Sequence, residues 1–450
     1  MSRYIDSNLI VQTACGPLQG VASTDGITAF KGVRYATARR FAKPQPVTHW
    51  DGLYNATEFG DACSQARTYV PESSFYGHEF REGTVFSYSE DCLFLNIYVP
   101  ENAEQVPVLF YIHGGAFAGG AGNEKHFDPR AWCRKGVIAV TINYRLGVFG
   151  FSNFEAARTH DTCGNYGLFD QLAALNWVKD HISSFGGDPN RITIMGQSAG
   201  AMSVQQLCLS PLSEGLFAGA VMLSGGGLVP MMNPRPAKET FAAWNKFAES
   251  LGAKTLEELQ AIPTDDLAKA YLGVMRTDPA LMCAPLIDGH FIVASNNIIA
   301  RTEGSHPVPY IIGSTGDDMA CCLLHKAVKE FADLQQEQNA PSVYGFFFDR
   351  DLPGDDRGSW HSSDLWYWFG SLHNSWRPMT AWDDTLSEAM VTYLCNFATA
   401  GNPNDTKQEL WMPLAERQGK VMHFGNDHIG MLQVDEAALE EKMRRQNPLF

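Results

Sequence analysis

Unbroken apolar runs recur along the chain at Val106–Ile112 and at residues 137–142, 192–195, 219–224, 309–313 and 343–348. Strands exposed on one face alternate apolar and polar positions, so runs without alternation predict strands buried on both faces, as in a mostly parallel sheet. Residues 167–178 instead place apolar side chains at helical spacing, as does the stretch from Ser198 to about residue 209. Strand-like and helix-like segments alternate, and no repeat or Pro/Ser-rich linker divides them. The pattern predicts one α/β domain over residues 1–450, a mostly parallel central sheet flanked by helices, with helical insertions around 230–300 and 319–342.

Chemistry in such a sheet collects at the carboxyl ends of strands. The run at 192–195 leads into Gly196-Gln197-Ser198-Ala199-Gly200, a G-x-S-x-G pattern between a strand and a helix. A strand that turns abruptly into a helix holds its central serine in a strained conformation, and the flanking glycines leave room for the close approach. The turn also sets Ser198 at a helix N-terminus, where unpaired amides favour developing negative charge. Ser198 is the candidate nucleophile.

Two further strand ends supply partners. Ile112 is followed by His113-Gly114-Gly115-Ala116-Phe117, and the amides of Gly114 and Gly115 could bind an oxyanion together with that of Ala199. After Ile312 comes Gly313-Ser314-Thr315-Gly316-Asp317-Asp318-Met319, where either aspartate could orient a histidine. With the order serine, acid, histidine, the base must follow these acids, which leaves His325, His361, His373, His423 and His428. His361 fits best, after a strand run and a polar loop and before the aromatic run Leu365-Trp366-Tyr367-Trp368-Phe369.

Composition narrows the partners. A formal charge of −16 opposes nucleic acid and anionic membranes, leaving a small or neutral substrate. The ten cysteines lack C-x-x-C spacing, so neither a zinc site nor a redox pair is indicated. No apolar stretch is long enough to span a membrane, and residues 1–6 show no basic-then-apolar signal, so a cytoplasmic location with reduced thiols is expected.

Further segments carry a family resemblance: Phe30-Lys31-Gly32-Val33-Arg34-Tyr35-Ala36, Ser89-Glu90-Asp91-Cys92-Leu93-Phe94-Leu95-Asn96, Asn143-Tyr144-Arg145-Leu146-Gly147, Phe185-Gly186-Gly187-Asp188-Pro189 and Trp376-Arg377-Pro378-Met379. With the elbow, they make the chain resemble the type-B carboxylesterases, the cholinesterase-like branch of the α/β-hydrolases, nearly end to end. The resemblance implies ester hydrolysis through an acyl-enzyme without metal or organic cofactor. It assigns Ser198 as nucleophile, His361 as base, Asp318 as acid, and the amides of Gly114, Gly115 and Ala199 as the oxyanion hole. It also implies ion pairs Arg40–Glu90 and Arg145–Asp170, and sets Cys63 and Cys92 where many members close a disulfide, expected open here.

Against the family pattern, Asp318 replaces the more usual glutamate, which leaves Asp317 as a fallback, and Gln197 replaces a glutamate frequent before the serine. The short span between Asp318 and His361 indicates a shortened helical lid, hence an open site that accepts bulky acyl esters such as hydroxycinnamates. Phe117 and Met319 are candidate pocket residues. The same triad would serve an acyltransferase or amidase, since only the acceptor differs. Some members have lost the nucleophile and serve as binding modules, whereas this chain keeps all three groups.

Overall fold

The computed structural model describes residues 4–446 apart from 24, 67–69, 72, 160–163, 229–232 and 417–418. All six apolar runs are strands of one eleven-stranded sheet. Along the chain its strands are β1 Val21–Ala22, β2 Thr28–Arg34, β3 Phe94–Val99, β4 Val106–Ile112, β5 Ile138–Ile142, β6 Gly187–Gln197, β7 Gly219–Leu223, β8 Tyr310–Thr315, β9 Val343–Asp349, β10 Val421–Gly425 and β11 Ile429–Leu432. Their spatial order is β11-β10-β9-β8-β7-β6-β4-β5-β3-β2-β1. The strands from β5 across to β10 run parallel. At the flanks β1, β2, β3 and β11 pair antiparallel, so the sheet is mixed rather than uniform.

Alternation within the runs explains their unbroken apolar character. Val108, Phe110 and Ile112 of β4 enter one core cluster, and Leu109 and Tyr111 enter the other on the opposite face. In β7, Ala220 and Met222 join the first cluster while Val221 and Leu223 join the second. These two strands therefore bury both faces, and no polar residue marks the period in either. The flanking strands were less legible because charged or polar residues such as Lys31, Arg34 and His423 interrupt them.

Helices cover the sheet where helical spacing predicts them: α1 spans Tyr166–His181 and α2 spans Ala199–Leu209. The segment between β7 and β8 contributes Phe241–Ser250, Leu256–Ala261, Thr264–Val274 and Asn296–Thr302, and α3, Cys321–Glu337, connects β8 to β9. Trp366, Tyr367 and Trp368 are core residues without solvent exposure. Among the described residues no helix is long and apolar enough to cross a membrane.

Both expected ion pairs form. Arg145 contacts Asp170 through two bonds, Nε to Oδ2 at 2.8 Å and Nη2 to Oδ1 at 2.7 Å, with both side chains buried. Arg40 meets Glu90 through Nε at 2.8 Å, but that glutamate is only half-buried, so the pair sits at the protein boundary rather than inside. The thiols of Cys63 and Cys92 are free and buried, and Cys163 falls outside the described residues.

A buried guanidinium stripped of its partner is costly. Asp170→Asn is expected to destabilise the fold by about 3–5 kcal/mol, read as a lower urea midpoint at unchanged slope.

Candidate active site

Ser198 stands between β6 and α2 with φ 57° and ψ −124°, a backbone region that side chains rarely adopt. Close packing enforces it. A methyl group on Gly200 would lie 2.1 Å from the Ile112 carbonyl oxygen, and one on Gly196 would lie 2.3 Å from that of Gly200. The Ser198 amide donates to the Leu223 carbonyl at 2.8 Å, tying the turn to the end of β7. Ala199 opens α2, so its amide has no acceptor within that helix.

The His361 ring lies between two side chains from distant parts of the chain. Its Nε2 is 3.0 Å from Ser198 Oγ, and its Nδ1 is 2.9 Å from Asp318 Oδ1. Asp318 follows the end of β8 and also accepts from Thr315 Oγ1 at 3.2 Å and from the Met319 amide at 2.8 Å. Asp317 is turned elsewhere, accepting from the Ser359 amide and hydroxyl at 3.1 Å and pairing with Lys442 at 2.6 Å. The backbone alternation that aims Asp318 inward necessarily aims its neighbour away.

Electrostatics follow from this geometry. Burial opposes charge on His361, but the Asp318 carboxylate and its hydrogen bond, helped by Asp364, outweigh it and raise the imidazole above its ordinary value. Burial likewise pushes Asp318 up, and the His361 charge together with bonds from His361 and Thr315 brings it below the usual range. Asp364, fully buried three residues beyond His361, is pushed up to about 7 by burial and by the Asp318 charge. His113 is the opposite case: burial drives it down to about 4, leaving a neutral ring stacked on Tyr144 at 4.5 Å.

Opposite Ser198, the loop after β4 turns through Gly115 (φ 110°), Ala116 (φ 52°) and Phe117 (φ 57°). Gly114 lies so near the elbow that a methyl group there would sit 2.7 Å from the Gln197 carbonyl oxygen and 3.1 Å from Ser198 Cβ. Gly115 and Ala116 are exposed, whereas the Phe117 side chain is buried against Phe151 with ring centroids 4.7 Å apart. Met319 is 68% exposed.

A serine, a histidine and an aspartate in hydrogen-bonded series, beside glycine amides and a helix N-terminus, can transfer an acyl group. The chain matches the carboxylesterase family over residues 7–329 and 322–445. It belongs to that family. Para-nitrobenzyl esterase of Bacillus subtilis is 36% identical over 324 residues, covering 69% of this chain and 63% of that protein. Gut esterase 1 of Caenorhabditis elegans is 34% identical over 325 residues, covering 69% of this chain and 54% of its own length. The chain thus spans less than two thirds of these carboxylesterase relatives. A solved PNB esterase superposes with a TM-score of 0.84 at 26% identity, covering 97% of this chain and 99% of that one. The architecture is the α/β-hydrolase fold.

Sequence reasoning missed Tyr76. Its hydroxyl donates to the His361 carbonyl oxygen at 3.1 Å, from a segment far ahead in the chain. That segment is pinned by buried Glu79, which accepts from Trp366 Nε1 at 2.7 Å, Trp376 Nε1 at 2.9 Å and Arg377 Nε at 3.0 Å. Only the Trp376-Arg377 pair carried a signal, as part of the family pattern, and nothing linked it to His361. Gln197 is also closer than expected, with Nε2 3.3 Å from His361 Nε2.

The elbow tolerates no added carbon. Gly200→Ala, which drives a methyl group into backbone, is expected to lower stability by about 1–3 kcal/mol, measured by chemical unfolding.

Proposed function

We propose that this chain is a serine esterase that hydrolyses carboxylic esters of small molecules through an acyl-enzyme. His361 takes the Ser198 proton as the oxygen attacks the ester carbonyl, and the oxyanion is held by the amides of Gly114, Gly115 and Ala199. His361 then protonates the leaving alcohol, and water repeats the sequence on the acyl-enzyme. Asp318 stays ionised, holds the imidazole in one tautomer and stabilises its charged form. The observation that carries the reading is the pair of contacts at 3.0 and 2.9 Å that links serine, histidine and aspartate. Esterase relatives of matching fold add independent support.

Gly115 and Ala116 on the loop after β4 and Met319 beside Asp318 are exposed, which supports acceptance of bulky or rigid acyl groups such as hydroxycinnamates. A comparable kcat/KM on methyl ferulate and on p-nitrophenyl acetate is the expected result, and turnover confined to acetate would remove this part of the reading.

The first test is p-nitrophenyl butyrate hydrolysis by the wild type and Ser198→Ala, with kcat expected to fall by about 10⁴-fold or more. Equal rates in the two proteins would end the proposal. The base must be neutral to accept the serine proton, so activity should be lost as pH falls through the His361 pKa. The midpoint of that acid limb should lie above the ordinary imidazole value. Asp318→Asn, which removes the opposing charge, should shift the midpoint downward and reduce kcat by about 10⁴-fold. Tyr76→Phe loses one bond to the His361 backbone, and a fall in kcat of about 3–10-fold at unchanged KM is expected from roughly 1 kcal/mol.

A further inference from the structure

At the β1 edge of the sheet lies a cleft of about 310 Å³, at the small end of ligand-binding cavities. Its apolar surfaces come from Ile27 and Ala29, beside Tyr98, Phe59 and Phe127. None of the groups assigned to acyl transfer lines it.

The charges around this cleft do not balance. Both of its carboxylates already have arginine partners. Glu124 accepts from Arg81 at 2.9 and 2.6 Å, and Asp128 holds Arg130 through contacts of 2.9, 3.0 and 2.6 Å. Lys31 and Lys125 line the same cleft, and neither has a carboxylate within ion-pair distance among the described residues. The Lys31 ammonium rests over the Phe59 ring at 4.7 Å. Lys125 is half-buried, and burial lowers its pKa although the charges of Glu79 and Glu82 oppose the shift from beyond ion-pair contact. Two ammonium groups thus line the cleft with no carboxylate in direct contact, beside aromatic surfaces. A third feature is the Oδ1 of Asn123, a buried acceptor without a hydrogen-bond donor.

We infer that this cleft binds a small aromatic carboxylate carrying a ring hydroxyl. Lys31 and Lys125 take the carboxylate, the ring lies against Phe59 and Phe127, and the hydroxyl donates to Asn123 Oδ1 once that amide turns to the cleft. A compact organic monoanion fits better than inorganic phosphate, because phosphate leaves the aromatic surfaces in water and brings a second negative charge near Glu124 and Asp128. The walls also reach towards the acyl-transfer groups. The 123–130 segment continues the loop that begins at Gly114, and Asn374 donates to the Lys125 carbonyl at 3.0 Å from the chain that follows His361.

The test is equilibrium dialysis with 4-hydroxybenzoate on the wild type, Ser198→Ala and the double variant Lys31→Gln/Lys125→Gln. The probes 4-hydroxybenzyl alcohol and inorganic phosphate are run in parallel. The wild type and Ser198→Ala should bind the acid alike, whatever the outcome of the esterase assay. The double variant should lose affinity about tenfold, the scale of two partly exposed ion pairs, while its p-nitrophenyl butyrate hydrolysis and thermal midpoint match those of wild type. Neutral alcohol or phosphate binding as tightly as the acid would overturn the proposal. So would an undiminished affinity in the double variant, or no binding of the acid at all.

Discussion

The close contact of β6, α2 and the end of β4 at Ser198 is the constraint from which the rest of the site follows. Gly196, Gly200 and Gly114 bring three backbones within distances that no side chain would permit. In return for this approach, Ser198 is held in an unfavourable φ/ψ region that would relax in a looser setting. The strain is sustained by a large sheet with both faces covered. A small domain would have less surrounding core to oppose the relaxation.

Beside the fixed serine, the electrostatic environment of His361 is the second constraint on the site. Burial alone would keep the imidazole neutral, as it does for His113. Asp318 reverses that preference at His361, so two buried histidines of one fold are driven in opposite directions by whether a carboxylate is within reach. The aspartate is held in place after β8 by the Thr315 hydroxyl and the Met319 amide. No looser contact results: the bond to His361 is 2.9 Å.

Much of this was legible in the chain. Strands buried on both faces announce themselves as apolar runs, and the elbow as glycines around a serine. His361 was reachable through chain order and its place after β9. The choice between Asp317 and Asp318 was not, because adjacent residues on a turn differ only in the direction of their side chains, which local sequence does not encode. Tyr76 was invisible for a different reason: a hydroxyl bonded to a backbone carbonyl far along the chain leaves no trace in either neighbourhood. The flanking strands were obscured by polar residues that an edge position allows. The Phe117 side chain, adjacent to the Gly114–Gly115 turn, enters the core because consecutive positive φ angles turn that loop back on itself.

The dispersal of these groups through the chain has a kinetic consequence. Tyr76, Gly114, Ser198, Asp318 and His361 come from segments that meet only when parallel strands joined by long crossovers are all in register. Such non-local pairing is slow to form, and partly folded species expose apolar strand faces while they wait. The contacts among serine, histidine and aspartate therefore belong to the last stage of folding. No shorter nascent chain that lacks β8 and the segment around residue 361 can possess them, which separates the period of synthesis from the assembly of the site.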